Sequence, residues 1–226
     1  MKKGKFITID GTDGSGKATQ IKLLLKKLLK NKYKVKVFDF PQYGKKSAGL
    51  VEEYLNGKYG SAQEVGPYRA SIFYACDRYD ASFKIRKFLN EGKVVISNRY
   101  VTANMGHQGG KIKNFRKRKK YFDWLYNLEY GIFGIPKPDL NIILHIEAAI
   151  AQKLVDNKGK RGYIEGGNKR DLHEKDLKHL MDAEKVYLEI AKILPNFCLI
   201  KCTKNGNIIS REKISDLIYK KIKKIL

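Results

Sequence analysis

Seven consecutive residues carry the strongest chemical signal in the chain. Gly11-Thr12-Asp13-Gly14-Ser15-Gly16-Lys17 fits G-x-x-x-x-G-K, the spacing of a loop that cradles phosphates. The glycines let backbone N–H groups converge on phosphate oxygens. A helix starting just after them adds its positive end, and Lys17 supplies a mobile cation. Ala18 and Thr19 complete the candidate nucleoside triphosphate site. At position 18 this pattern calls for a Ser or Thr hydroxyl that reaches Mg²⁺, and Ala18 has none. Thr19 is no replacement, because one helical step turns a side chain by roughly 100°.

The loop works only if a strand delivers it and a helix leaves it. Near-continuous apolar runs at 6–10, 94–98 and 140–146 read as strands buried on both faces of a parallel sheet, and 34–40 and 197–202 read as further strands. Ile21, Leu24, Leu25, Leu28 and Leu29 form one helical stripe behind the loop. Further helices are expected at 47–56, 67–90, 119–133, 147–155, 173–194 and 210–226. The alternation predicts one α/β domain spanning 1–226, with a parallel sheet flanked by helices.

Composition sets the outer bounds. The chain has 226 residues, 42% hydrophobic, which is enough for a sizeable core. No apolar run is long enough to cross a membrane, the opening apolar run is too short for a signal-peptide core, and three dispersed cysteines have no metal spacing. A reduced, cytoplasmic protein is expected. Lys plus Arg exceeds Asp plus Glu by 47 to 23, a net +24, which favours anionic partners. Only nine of the 47 are Arg, however, and the lysines are spread through nearly every segment. That pattern reads as general composition rather than a nucleic-acid surface. The densest run, Lys111 to Lys120, reads as a solvated loop and helix start.

Five segments in order give the chain a family likeness: Ile9 to Lys17, Phe40-Pro41-Gln42-Tyr43-Gly44, Cys76-Asp77-Arg78, Ser97-Asn98-Arg99-Tyr100, and Gly134-Ile135-Pro136-Lys137-Pro138-Asp139. Together they resemble thymidylate kinase from about residue 5 to 195. The resemblance implies a P-loop kinase fold on a five-stranded parallel sheet, usually in a homodimer. It implies transfer of the ATP γ-phosphate to dTMP to give dTDP for dTTP synthesis, with Mg²⁺ as cofactor. It also implies roles. Gly11 to Lys17 hold the ATP phosphates, and Asp13 meets the deoxyribose 3′-hydroxyl or a Mg²⁺-bound water. Phe40, Pro41 and Tyr43 wall the acceptor pocket, and Tyr74 lies against thymine. Arg78 and Asn104 address the base, and Arg99 grips the acceptor phosphate. Lys17, Arg99, Asp13 and Arg161 form the catalytic set. Lys160, Arg161, Lys169 or Arg170 belong to a lid over about 156–171, and Glu174 approaches the metal or acceptor. Gly14 and Ser15 leave no arginine in the loop, which resembles the bacterial-type, lid-arginine class.

The chain departs from that family at Ala18, at Asn98 (usually Asp), at Gln42 (often Arg), and at His107 and His173, where aromatic residues are frequent. His107 is counted with the acceptor-binding residues. Two other readings remain open on the sequence: a kinase for another nucleoside monophosphate or deoxynucleoside, and a nucleotide- or nucleic-acid-binding protein with a weakened metal site.

Overall fold

The computed structural model describes residues 3–156 and 177–226. Its element order is β1 (Lys5–Asp10), α1 (Lys17–Lys30), β2 (Val35–Asp39), α2 (Gly49–Leu55), α3 (Ala62–Asn90), β3 (Val94–Asn98), α4 (Val101–His107), α5 (Phe115–Tyr126), β4 (Leu140–His145), α6 (Ala148–Asp156), α7 (Leu177–Ile193), β5 (Phe197–Lys201), β6 (Thr203–Lys204), β7 (Asn207–Ile208) and α8 (Arg211–Ile222). The first five long strands form one sheet in the order β2-β3-β1-β4-β5, and every neighbouring pair in it is parallel. This is the α/β architecture that the strand–helix alternation predicts.

Alternation along the strands divides the core into two layers. Phe6, Val95 and Ile143 face one side, where they pack with Ile85 of α3, Met105 of α4, Tyr121 of α5 and Tyr187 of α7. Ile7, Ile9, Ile96 and Leu144 face the other, against Leu24 and Leu28 of α1 and Ile214 and Ile218 of α8. With helices on both faces, β1, β3 and β4 are buried almost throughout, as their continuous apolar runs require. β2 lies at the sheet edge and keeps exposed residues.

Four elements differ from the sequence expectation. The segment expected to be one helix from 119 to 133 starts earlier, at Phe115, because the Asn114 side chain caps the Lys117 N–H. It then passes into a wider π turn over Asn127–Ile132. α3 begins at Ala62 rather than 67, with a reciprocal Ser61–Glu64 cap; Gly66, at φ 72°, breaks the helical backbone just before Pro67. α4 and the β6–β7 hairpin have no counterpart among the expected elements.

Candidate active site

The loop between β1 and α1 forms as the glycine spacing requires. Gly14 and Gly16 hold φ of 87° and 84°, a region in which a Cβ is strained. A Cβ on Gly14 would also lie 2.2 Å from the Ala151 carbonyl oxygen of α6. The Gly16 position that opens α1 carries no side-chain cap, so the first helical N–H groups face the loop's interior. Lys17 is 8% exposed. Its Nζ donates to the carbonyls of Gly11 (3.0 Å) and Thr12 (2.9 Å), which lays the cation along the loop. Asp13 to Thr19 line a large cleft here with Asp39, Asn98 and Arg99.

Arg99 follows β3 directly and sits at φ 64°, a costly backbone region for an arginine. Its N–H donates to the Ile9 carbonyl at 3.0 Å, and its carbonyl accepts from the Ser97 hydroxyl at 2.6 Å. Those two bonds fix the residue between β1 and β3. The guanidinium pairs with Asp13 and donates to His107 Nε2 at 3.0 Å. Burial, the largest single effect, pulls the Arg99 pKa down, but the charges of Asp13, Tyr187, Tyr43 and Asp10 together raise it above its ordinary value. Arg99 is therefore a permanent cation.

A second, smaller cleft opens on the other side of Arg99, with an empty volume of about 550 Å³. Phe40, Pro41, Tyr43, Tyr74, Arg78, Asn104, His107 and Gln108 line it. The Phe40–Pro41 peptide is cis. Gln42 holds this turn against α3: its N–H donates to Asp77 Oδ2 at 2.8 Å, and its Nε2 donates to Asp77 Oδ1 at 3.0 Å. The residue that stands where arginine is frequent thus serves as a tether. Asn104 is 2% exposed and donates from Nδ2 to the Ser71 carbonyl at 3.2 Å.

Arg78 lines the cleft with its charge already answered. It is 1% exposed; its Nε donates to both Glu129 carboxylate oxygens at 3.1 Å, and its Nη1 donates to the Tyr100 carbonyl at 3.4 Å. Glu129 is fully buried, in the π turn after α5. Sequence reading gives no role to Glu129 or Gln108. The one local signal is an acid flanked directly by Leu128 and Tyr130.

The two clefts share Asp13, Phe40, Pro41, Tyr43 and Arg99, so molecules bound in each would meet at the Asp13–Arg99 pair. The structure thus brings Lys17, Arg99, Asp13, Phe40, Pro41, Tyr43, Tyr74, Arg78, Asn104 and His107 around one continuous cavity. Lys160, Arg161, Lys169, Arg170, His173, Glu174 and the 156–171 lid except Asp156 lie outside the described residues. Lys111, read from sequence as a solvated residue, instead donates to Tyr54 Oη at 2.8 Å and the Ala62 carbonyl at 3.2 Å; burial pulls its pKa down to about 8.

The residues facing the loop suit a hydrated divalent ion carried mainly by substrate phosphates. Asp39 and Asn98 end paired strands in register, and Asn98 Nδ2 donates to Asp39 Oδ1 at 2.8 Å. Asn98 Oδ1 is buried and has no hydrogen-bond partner among the described residues. Burial raises the Asp39 pKa, opposed by the Asn98 bond and the Arg99 charge. No group of three or more His, Cys, Asp or Glu among the described residues could hold a metal unaided. An Mg²⁺ that keeps several waters needs only one or two such oxygens.

A family model described as thymidylate kinase matches residues 9–214. A thymidylate kinase of Mycobacterium tuberculosis is 28% identical over 187 residues, covering 82% of this chain and 85% of the relative. A probable thymidylate kinase of Pyrobaculum aerophilum is 34% identical over 155 residues, covering 68% and 71%. A solved thymidylate kinase structure from Candida albicans aligns with a TM-score of 0.75 at 21% identity, over 98% of this chain and 92% of that one.

Proposed function

The chain belongs to the thymidylate kinase family, and from that premise we propose how its residues divide the work of the reaction. The enzyme transfers the γ-phosphate of ATP to dTMP and yields dTDP. The observation that carries the residue-level reading is the sharing of Asp13 and Arg99 by two adjoining clefts. One cleft has a phosphate loop, and the other has aromatic and amide walls suited to a nucleobase.

Phosphoryl transfer depends on alignment and charge neutralisation more than on a general base. In this reading, Lys17 leaves the Gly11 and Thr12 carbonyls for the ATP phosphates, and the N–H groups opening α1 hold the other oxygens. Arg99, fixed by its backbone bonds and its pairing with Asp13, grips the phosphate of dTMP on the opposite side. Asp13 also reaches the sugar hydroxyl or a metal-bound water. Phe40, Pro41, Tyr43 and Tyr74 enclose the nucleoside, and Asn104 presents polar atoms to thymine. Arg78 has guanidinium protons beyond its bonds to Glu129 and Tyr100, and one of them addresses the base. Asp13, Asp39, Asn98 and, from outside the described residues, Glu174 are the residues that would hold a hydrated Mg²⁺, which when bound would supply charge neutralisation to the phosphates. Arg161, from outside the described residues, is proposed to supply a third cation, as in the lid-arginine class.

We further propose a single-domain enzyme that acts in the cytoplasm as a homodimer and does not use nucleic acid as a partner. Among the described residues no helix is long and apolar enough to cross a membrane. Tyr68, Ile72, Tyr79 and Phe83 are large, exposed and spaced along one side of α3, a stripe that a two-fold copy of itself can cover. Sedimentation of Phe83→Glu as a monomer alongside a dimeric parent is the expected result.

The functional test is ADP release at saturating MgATP with dTMP, dUMP, dCMP, ribothymidine monophosphate and thymidine as acceptors. dTMP should give the highest kcat/KM and thymidine essentially none. A better rate with another acceptor would replace dTMP in this reading, and no ADP with any acceptor would refute it.

A further inference from the structure

His107 belongs to a chain of hydrogen bonds that runs from Arg99 out of the acceptor cleft. Its length depends on Gly106. A Cβ there would lie 2.4 Å from Cζ of Tyr187, so only glycine lets α4 press this closely on α7. The approach brings His107 and His179 together, with ring centroids 5.5 Å apart and planes 23° from parallel. His107 Nδ1 lies 3.3 Å from His179 Nε2, and the other ring nitrogen lies 3.0 Å from Arg99 Nη1.

The donor roles follow from chemistry. A guanidinium has donors and no acceptor, so His107 Nε2 must accept from Arg99 and carry no proton. Burial first, and the Arg99 charge second, hold the His107 pKa well below its ordinary value, so the ring is neutral with its one proton on Nδ1. That proton is donated to His179 Nε2, which must accept. Arg99 thus fixes the tautomer, and His179 supplies the second bond that orients the ring; without it His107 would lose its hold at Nδ1 and could turn relative to Arg99.

We infer that His179, which does not line the acceptor cleft, is a positioning residue for the acceptor phosphate: it orients the His107 ring and thereby the aim of Arg99. This deepens the proposed dTMP site and rests on it. Gln can replace His179 as the acceptor through Oε1, whereas Leu cannot.

The test combines ¹⁵N–¹H correlation of the imidazole rings with steady-state kinetics; with only four histidines in the chain, the ring spectrum can be assigned by substitution. In the parent, His107 should be in the Nδ1–H form. His179→Leu should keep that form, shift its Nδ1–H resonance upfield as the hydrogen bond to His179 is lost, and raise the KM for dTMP about tenfold, the order expected for one lost buried hydrogen bond, with the KM for ATP within about twofold. His179→Gln should restore the Nδ1–H hydrogen bond and most of the dTMP affinity. An Nε2–H form in the parent would overturn the inference without any variant. So would an unchanged dTMP KM in His179→Leu, equal rises in both KM values, or a His179→Gln enzyme as impaired as the leucine variant. If the parent shows the Nδ1–H form but does not phosphorylate dTMP, the hydrogen-bond chain stands and the assignment of the acceptor fails.

Discussion

Replacing Glu129 by Ala removes the carboxylate that pairs with Arg78 in a buried ion pair. The side chains are 0% and 2% exposed, so the guanidinium would keep its charge with neither solvent nor counter-charge. Breaking one half of a buried pair costs about 3–5 kcal/mol. For a chain of this size each kcal/mol moves Tm by about 2–4 °C, so Glu129→Ala should melt roughly 6–20 °C below the parent. Removing both charges with apolar residues of similar volume, Arg78→Met with Glu129→Leu, leaves no orphaned ion. It should recover much of the loss, giving a coupling that a double-mutant cycle can read. Urea denaturation of the parent, Arg78→Met, Glu129→Leu and their double supplies the four free energies of the cycle, with Glu129→Ala measured beside them. A loss under about 1 kcal/mol for Glu129→Ala, or strictly additive singles, would refute the claim that this pair is a desolvated unit. The kinetic arm is separate: Arg78→Met alone should raise the dTMP KM far more than the ATP KM.

Asp10, at the end of β1 beneath the loop, offers a pH test. Burial raises its pKa to about 6, against the opposing charges of Arg99 and Lys17, while the unfolded value is near 3.9. The folded state therefore binds the proton more tightly, and stability contributed by this group rises as pH falls from about 6 to about 4. Asp10→Asn should be stabilised relative to the parent near pH 8, by up to the order of 3 kcal/mol, with the advantage fading below pH 5; urea melts at several pH values showing the reverse slope would contradict this. At the metal end, Ala18→Thr with Asn98→Asp adds a hydroxyl and a second carboxylate beside Asp39. The double variant should reach half-maximal rate at lower free Mg²⁺ than the parent, with smaller shifts in the singles. An unchanged Mg²⁺ requirement would mean that these positions do not face the ion.

What could be read from the chain was local or periodic. The phosphate loop, the apolar strands and the α1 stripe each lie within a few consecutive residues, and burial on both faces of the sheet makes β1, β3 and β4 stand out. The Arg78–Glu129 pair joins residues 51 apart in sequence, so no short window contains it. α4 was missed because Val101 to His107 contains few apolar residues and a glycine that serves helix packing rather than helix formation. Two local signals were present and went unread: the Ser61–Glu64 capping box, and Asn205-Gly206, whose φ values of 52° and 75° suit the tight turn between β6 and β7. The cleft walls came from the family likeness, since nothing in the spacing of Tyr74, Asn104 and His107 tells that α3 and α4 face each other across Arg99.

The central claim is that Arg99 holds the acceptor's phosphate against the phosphate loop. Calorimetric titration of dTMP and of thymidine into the parent and into Arg99→Ala tests it without relying on turnover. The parent should bind dTMP more tightly than thymidine by about one to two decades, the worth of a charged hydrogen-bonding contact. Arg99→Ala should bind the two about equally, with thymidine affinity unchanged. A variant that keeps the preference for dTMP would contradict the account.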